Sequence, residues 1–352
     1  MGLCGGTDDV IDPVLRKQSR MIAKQIEEQA SDMHASEKLL LLGAGESGKS
    51  TVFKQMRLVH SSAYSERELN QFKYIIYRNI LDAIKILVEQ VNDMGLQLVE
   101  ANEDLADQVS LWESESLNPE MAEIIAQLWA DEGVQEAYRR RAEFQLGDNA
   151  LYYLSQVQRI GSPDFVPTTD DALHARVRTS GAVSKEFQTK SSKFIVYDVG
   201  GQRAERRKWM PLFDHVSTIV FVAAISEYDQ VVAEDRSKNR MQEALDLFKQ
   251  IVNSDHFAEA EILLFLNKRD LFAEKIKSVD PQKWFPDYDG GCDYDAAEEY
   301  FKEAFRRRIQ DPQKILYSYT TCATDTQNMA VVLKAIEMMA VEKLNSSLGL
   351  NS

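Results

Sequence analysis

The chain has 352 residues, with 41 Lys and Arg against 56 Asp and Glu and a net charge of −15. That length suits about two domains, and the acidic balance excludes a nucleic-acid binder working through counterion release and bare electrostatic docking on an anionic leaflet. Cys4, Cys292 and Cys322 are too few and too scattered for a disulfide framework or a zinc site, so a reducing, cytosolic compartment is expected.

In chain order, MGLCGGTDD lacks the basic and apolar regions of a signal peptide. Residues 8–36 are charged, with Ile22, Ile26, Ala30 and Met33 at helical spacing, which predicts an exposed amphipathic arm. KLLLLG (38–43) reads as a short buried strand, and a helical pattern runs on from GAGESGKST (43–51) to about Val59. Over 65–171 the character is helical throughout, with no strand expected. Phe72, Ile76, Ile80, Ala83, Leu87 and Val91 recur every three or four residues, and Gly95 stops that helix. Asn118-Pro119 opens another in N-cap and N1 style, and ALYYLSQV (150–157) reads as one more.

After residue 181 strands alternate with helices: KFIVYDVGG (193–201), TIVFVAAI (218–225), EILLFLNKRD (261–270) and KILYSYTTCAT (314–324). A last helix runs from Gln327 to about Leu344. The apolar runs are continuous, as in a parallel sheet covered on both faces. None approaches the ~18 residues of a membrane span. The expected fold is α/β, interrupted by an all-helical insertion.

GAGESGKST satisfies G-x-x-x-x-G-K-[ST] between a strand and a helix, the context that a phosphate-cradling loop requires. Its glycines turn backbone N–H groups toward phosphate oxygens, and the helix N-terminus adds positive charge. Lys49 would contact the β- and γ-phosphates and Ser50 would ligate Mg²⁺. In DVGGQ (198–202), Asp198 at a strand end suits the metal side, Gly201 frees a backbone N–H for the γ-phosphate, and Gln202 is placed to orient a water. In NKRD (267–270) the Asp270 carboxylate matches the two donors of guanine and would be left unpaired by adenine. Asn267 would brace that loop and Lys268 would lie over the ring, while the Ala323 N–H in TCAT (321–324) is available to the guanine O6.

With GAGESGKST, the helical insertion, RVRTSG, DVGGQRAERRKW, NKRD, TCAT and the terminal helix in this order, the chain resembles the α subunits of heterotrimeric G proteins over essentially its full length. The similarity is closest to inhibitory-type and fungal members. The resemblance implies a P-loop, Ras-like GTPase fold, a doubly wound sheet over 37–63 and 177–352, with the all-helical insert at 64–176 and the arm at 1–36. It implies Arg176 and Gln202 as catalytic residues and Thr179 as a second Mg²⁺ ligand. It adds Glu46, Ser47, Gly48, Thr51, Asp148, Asn149, Leu173, His174, Ala175 and Cys322 to the nucleotide contacts, with Asp148 a partner for Lys268. It also implies a GTP-hydrolysing switch that binds a βγ dimer when GDP-bound, is opened by a seven-helix receptor, acts on an effector enzyme and meets regulators that accelerate hydrolysis.

Two departures from the family pattern stand out. MGLCGGT offers Gly2 for myristoylation and Cys4 for palmitoylation, but Gly6 and Thr7 place the usual hydroxyl one position late. Two acyl chains would hold the protein on the cytoplasmic face of the plasma membrane. In the tail SSLGLNS, Leu348 stands where inhibitory members carry a cysteine, so a toxin that modifies that cysteine should fail. A nucleotide-binding scaffold that barely hydrolyses and a P-loop kinase or ATPase are the alternatives; intact Arg176 and Gln202 speak against the first, and NKRD against the second.

Overall fold

The computed structural model describes residues 36–60, 63–188 and 193–347. The expected arm with Gly2, Cys4, Ile22, Ile26 and Met33, and the tail from Leu348 onward, lie outside the described residues.

Eight strands are found among the described residues: β1 Ser36–Leu42, β2 Ala182–Gln188, β3 Lys193–Val199, β4 Thr218–Ala224, β5 Val231–Val232, β6 Asp235–Asn239, β7 Glu261–Asn267 and β8 Leu316–Thr320. Six of them form one sheet in the order β2-β3-β1-β4-β7-β8, and β5 and β6 form a separate hairpin. Within the large sheet every pairing is parallel except that of β2 with β3. From β1 the order extends first to β3 and β2, then to the other side through β4, β7 and β8. The carboxyl end of β1 is therefore a topological switch point, where open α/β sheets bind ligands.

The run of four leucines in β1 explains how the sheet is sandwiched. Successive side chains in a strand point to opposite faces. Leu40 and Leu42 enter a core shared with the helices Arg240–Val252 and Tyr294–Arg306. Leu39 and Leu41 enter a second core with the helices Lys49–His60 and Thr326–Ser347. All four are fully buried, each worth about 1.5–3 kcal/mol of transfer free energy.

Thirteen α-helices are found among the described residues, eight of them between Glu66–Asp93 and Thr169–His174, or before them at Lys49–His60. No strand interrupts 66–174. A hydrophobic cluster drawn from residues 76 to 175 packs this block on itself, built around Ile76, Ile80, Ile84 and Leu87 of the long helix. The local signals behave as their chemistry dictates. Ser65 and Glu68 form a capping box at the start of Glu66–Asp93. Gly95 follows the end of that helix at φ +65, a conformation that costs glycine little. The Asn118 side chain accepts the Met121 N–H at 2.8 Å ahead of Pro119–Trp129.

Four expectations need correction. ALYYLSQV is two short helices, Ala150–Leu154 and Val157–Ile160, because Gln156 at φ −121 breaks the helical path and turns Val157 and Ile160 into the core. The strands end sooner than the stretches in which they are expected, at Val199, Ala224, Asn267 and Thr320; the motif residues beyond them leave the sheet as loops and turns. β8 also starts at Leu316, since Lys314 is in a turn on Asp311 and sends its ammonium to the carbonyls of Val252 and Phe257. β2, an edge strand, was not among the expected strands: in AVSKEFQ only Phe187 is buried.

Candidate nucleotide site

The loop after β1 is built by close approach. A Cβ on Gly43 would sit 2.1 Å from the Val222 carbonyl oxygen, and one on Gly48 2.2 Å from Asn267 Nδ2. Both have positive φ, +145 and +100, so only glycine suits these positions without strain. Glu46 in the same loop takes φ 67 with its own side chain, an uncommon conformation for a non-glycine residue. The loop opens the helix Lys49–His60, whose first turn, with its N–H groups lacking helical partners, lines a cavity of about 500 Å³.

Glu46, Gly48, Lys49, Ser50 and Thr51 line that cavity. So do Asp148 and Asn149 from the helical block, and Leu173, His174, Ala175, Arg176 and Thr179 from the segment that leaves it. Gly201 and Gln202 come from the loop after β3, Asn267, Lys268 and Asp270 from the loop after β7, and Cys322 and Ala323 from the loop after β8. Ser47 and Asp198 lie just behind the wall, each almost wholly buried. Nearly the whole set of expected residues is thus gathered on one cavity.

At the phosphate end Lys49 is buried, and its ammonium donates to the carbonyls of Gly43 (3.0 Å) and Ala44 (2.6 Å). Burial pushes it down to about 8, against the pull of Asp198. A Cβ on Gly201 would lie 2.2 Å from Lys49 Nζ, so glycine is required for this approach. Ser50 Oγ and Thr179 Oγ1 are 2.8 Å apart. Burial raises Asp198 above the usual carboxylate range, opposed by hydrogen bonds from the hydroxyls of Ser50 and Thr179 and by the charge of Lys49. Asp198 Oδ1 is buried and has no hydrogen-bond partner among the described residues. Two hydroxyls and a carboxylate with a spare oxygen fit Mg²⁺, which takes few protein oxygens and completes its shell with water and phosphate. No group of three or more His, Cys, Asp or Glu able to hold a metal occurs among the described residues, so phosphate would have to complete such a site.

At the base end Asn267 is buried and ties three loops together. Its Nδ2 donates to the Ser47 carbonyl at 2.9 Å, and its Oδ1 accepts from Ala323 N–H at 2.9 Å and from Thr321 Oγ1 at 3.2 Å. The N–H expected to meet guanine O6 is therefore engaged with Asn267. Lys268, at φ 63, donates to Asp148 and, at 2.6 Å, to Glu227 Oε1. These two carboxylates raise its pKa despite burial. Glu227, buried beside it, was not visible as a partner in the sequence.

Arg176 is exposed, and its guanidinium is paired with Glu46 Oε1 at 2.6 Å. The other Glu46 oxygen accepts from Arg240 at 3.0 Å, and Arg240 also reaches Glu227 at 3.2 Å. These arginines and Lys268 hold Glu46 below the usual range although its burial opposes this. Gln202 stands immediately before the short helix Arg203–Arg206 without capping it, and its Oε1 is buried without a partner among the described residues. That helix is fastened by Arg203 and Arg206 to Glu243, at 2.8 and 2.7 Å. His174 stacks on Tyr152 at 3.7 Å with the rings nearly parallel, and burial lowers its imidazole pKa. Sequence reasoning also missed Lys54, which lines the cavity, although it shares a helix with Lys49.

A mostly parallel α/β sheet with a phosphate loop at its switch point, Asp270 on the same cavity and an all-helical insertion is the architecture of a guanine-nucleotide-binding GTPase with a helical insert. Residues 16–340 match the family described as G-protein alpha subunit. The chain is 44% identical over 348 residues to the guanine nucleotide-binding protein alpha-2 subunit of Dictyostelium discoideum, covering 96% of each chain. It is also 44% identical over 311 residues to a G-protein complex alpha subunit of Aspergillus fumigatus and, at the same extent, to a guanine nucleotide-binding protein subunit alpha of Emericella nidulans, covering 87% of this chain and 88% of each relative. The chain belongs to the G-protein α-subunit family. It is accordingly a GTPase that acts as a switch in heterotrimeric G-protein signalling.

Proposed function

We propose that GTP is hydrolysed in this cavity by in-line attack of a water on the γ-phosphate, with Gln202 and Arg176 as the catalytic residues. The observation that carries the reading is the convergence of Lys49, the Ser50–Thr179 hydroxyl pair, buried Asp198 and Gln202 around one end of the cavity, with Asp270 at the other. Bound Mg²⁺ would be held by Ser50 and Thr179, with Asp198 behind them, and would supply charge neutralisation on the phosphate oxygens. Lys49 would exchange its two loop carbonyls for phosphate oxygens. The unpartnered amide oxygen of Gln202 would accept from the attacking water and orient it. Arg176 would leave Glu46 for the γ-phosphate as negative charge develops there, an interaction stronger in the transition state than before it. Asp270 would accept the two guanine donors.

The proposal extends to partners and place. A βγ dimer would bind the arm and the segment 203–209 in the GDP state, a seven-helix receptor would open the site, and an effector enzyme and hydrolysis-accelerating regulators would read the GTP state. Acylation at Gly2 and Cys4 would hold the protein on the cytoplasmic face of the plasma membrane, with GTP hydrolysed there to GDP and phosphate. No helix among the described residues is long and apolar enough to cross a membrane. The test is single-turnover hydrolysis of GTP with and without Mg²⁺ in Arg176→Cys and Gln202→Leu. Parental rates in both variants, with nucleotide bound normally, would overturn the assignment.

A further inference from the structure

The segment that carries Arg176 is gripped at its main chain from two sides. Asn79, half-buried on the long helix Glu66–Asp93, accepts the Arg176 N–H on Oδ1 at 2.8 Å and donates Nδ2 to the Arg176 carbonyl at 3.1 Å. One side-chain amide thus engages both main-chain polar groups of a single residue. Asn149 steadies the arrangement: its Nδ2 donates to Asn79 Oδ1 at 2.9 Å and to the His174 carbonyl at 3.0 Å.

From the opposite side comes Lys54, on the same helix as Lys49 and Ser50. Its ammonium donates to the carbonyls of Ala172 (2.8 Å) and Ala175 (2.7 Å). These carbonyls end the helix Thr169–His174, where backbone acceptors lack helical partners and a cation binds well. The phosphate-loop helix thereby fixes the residue immediately before Arg176. The Arg176 side chain itself is exposed and, among the described residues, is held by Glu46. Where its guanidinium starts from is therefore set by the main chain, and the main chain is set by Lys54 and Asn79.

We propose that Lys54 and Asn79 are positioning residues for hydrolysis, forming a two-sided main-chain clamp that aims Arg176. The inference rests on the reading of Arg176 as a hydrolytic residue. A misplacement of about 1 Å in a reacting group can cost roughly 10²-fold. Asn79→Ala and Lys54→Met should each slow single-turnover GTP hydrolysis roughly 10-fold or more while still binding a non-hydrolysable GTP analogue stoichiometrically. Lys54→Met removes the ammonium from the two carbonyls and from above the Phe72 ring, 5.3 Å from its centre; Lys54→Arg keeps a cation and its donors and should restore most of the rate. If Asn79→Ala fails to fold, Asn79→Asp replaces only the donor with an oxygen facing the Arg176 carbonyl and should slow hydrolysis by the same route.

The deciding measurement is the double-mutant cycle. In an Arg176→Cys background neither clamp substitution should slow hydrolysis further, because each acts through the arginine. Full additivity, or parental rates in both single variants, would overturn the clamp while leaving Arg176 catalytic. A parental rate in Arg176→Cys alone would instead overturn the reading on which the clamp rests.

Discussion

The helical block and the carboxyl ends of the sheet face one cavity but supply it in different ways. The sheet ends contribute buried polar groups: Lys49 and Asn267, fitted to backbone carbonyls at close range, and Asp198, which takes the hydroxyls of Ser50 and Thr179. The helical side contributes exposed or half-buried groups, Asp148, Asn149 and Arg176, held at their tips by charges and amides of other elements. A buried polar group without a partner costs about 1–3 kcal/mol, so the sheet-end groups are confined to one geometry. The charge pairs of the helical groups are open to solvent on the helical side and add little beyond the ~0–1 kcal/mol of an exposed pair, so the helical contacts can part at modest cost. One side reads as a rigid receptor for the nucleotide and the other as its releasable cover.

The largest test of that contrast is on the rigid side. A site built to bond guanine should prefer GTP over ATP by about 10⁴-fold, and Asp270→Asn should lose most of that preference and shift it toward xanthine nucleotides. Competition binding measures both; ATP competing equally with GTP at the parental site would remove Asp270 from the base pocket. Next come Arg176→Cys and Gln202→Leu, each expected to slow single-turnover hydrolysis by roughly 10²–10³ with affinity unchanged. Here the releasable side bears directly on the chemistry.

Smaller effects probe the cover itself. Asp148→Asn removes one of two carboxylates on Lys268 and leaves Glu227 in place. GDP release should rise about 10-fold, the equivalent of ~1.4 kcal/mol, in a fluorescent-nucleotide exchange assay. Unchanged release would mean that this pair does not hold the cover. Finally, burial holds the Lys49 ammonium down to about 8, and a bound phosphate should push it up. Nucleotide binding should therefore take up a proton, and affinity should fall as pH rises above about 8. Calorimetry at such a pH in two buffers of different ionisation enthalpy reads the uptake, and identical heats would refute it.

What could be read from the chain follows the same division. GAGESGKST and NKRD were legible because their geometry is local: a glycine at Gly43 or Gly48, a lysine at the helix start, a carboxylate just past a strand. The long amphipathic helix was legible from its period. β2 was not, because an edge strand buries one residue and presents polar ones. Glu227, Arg240, Lys54 and Asn79 were invisible for another reason. The contacts that bring them to the cavity, with Lys268, Glu46, Ala172 and Arg176, span between 41 and 194 residues, so only the folded chain makes them.

Asp198 Oδ1 and Gln202 Oε1, two buried oxygens without donors among the described residues, have a consequence for how long the protein survives. The folded chain carries a deficit that, on the proposed reading of the site, a metal-nucleotide complex and its water would relieve, which would make the ligand part of the core as much as any leucine of β1. A ligand at about 1,000 times its dissociation constant adds about 4 kcal/mol to the unfolding free energy, a large share of the ~5–15 kcal/mol that a domain has. Starvation for guanine nucleotide would then shorten the lifetime of the protein as well as silence it.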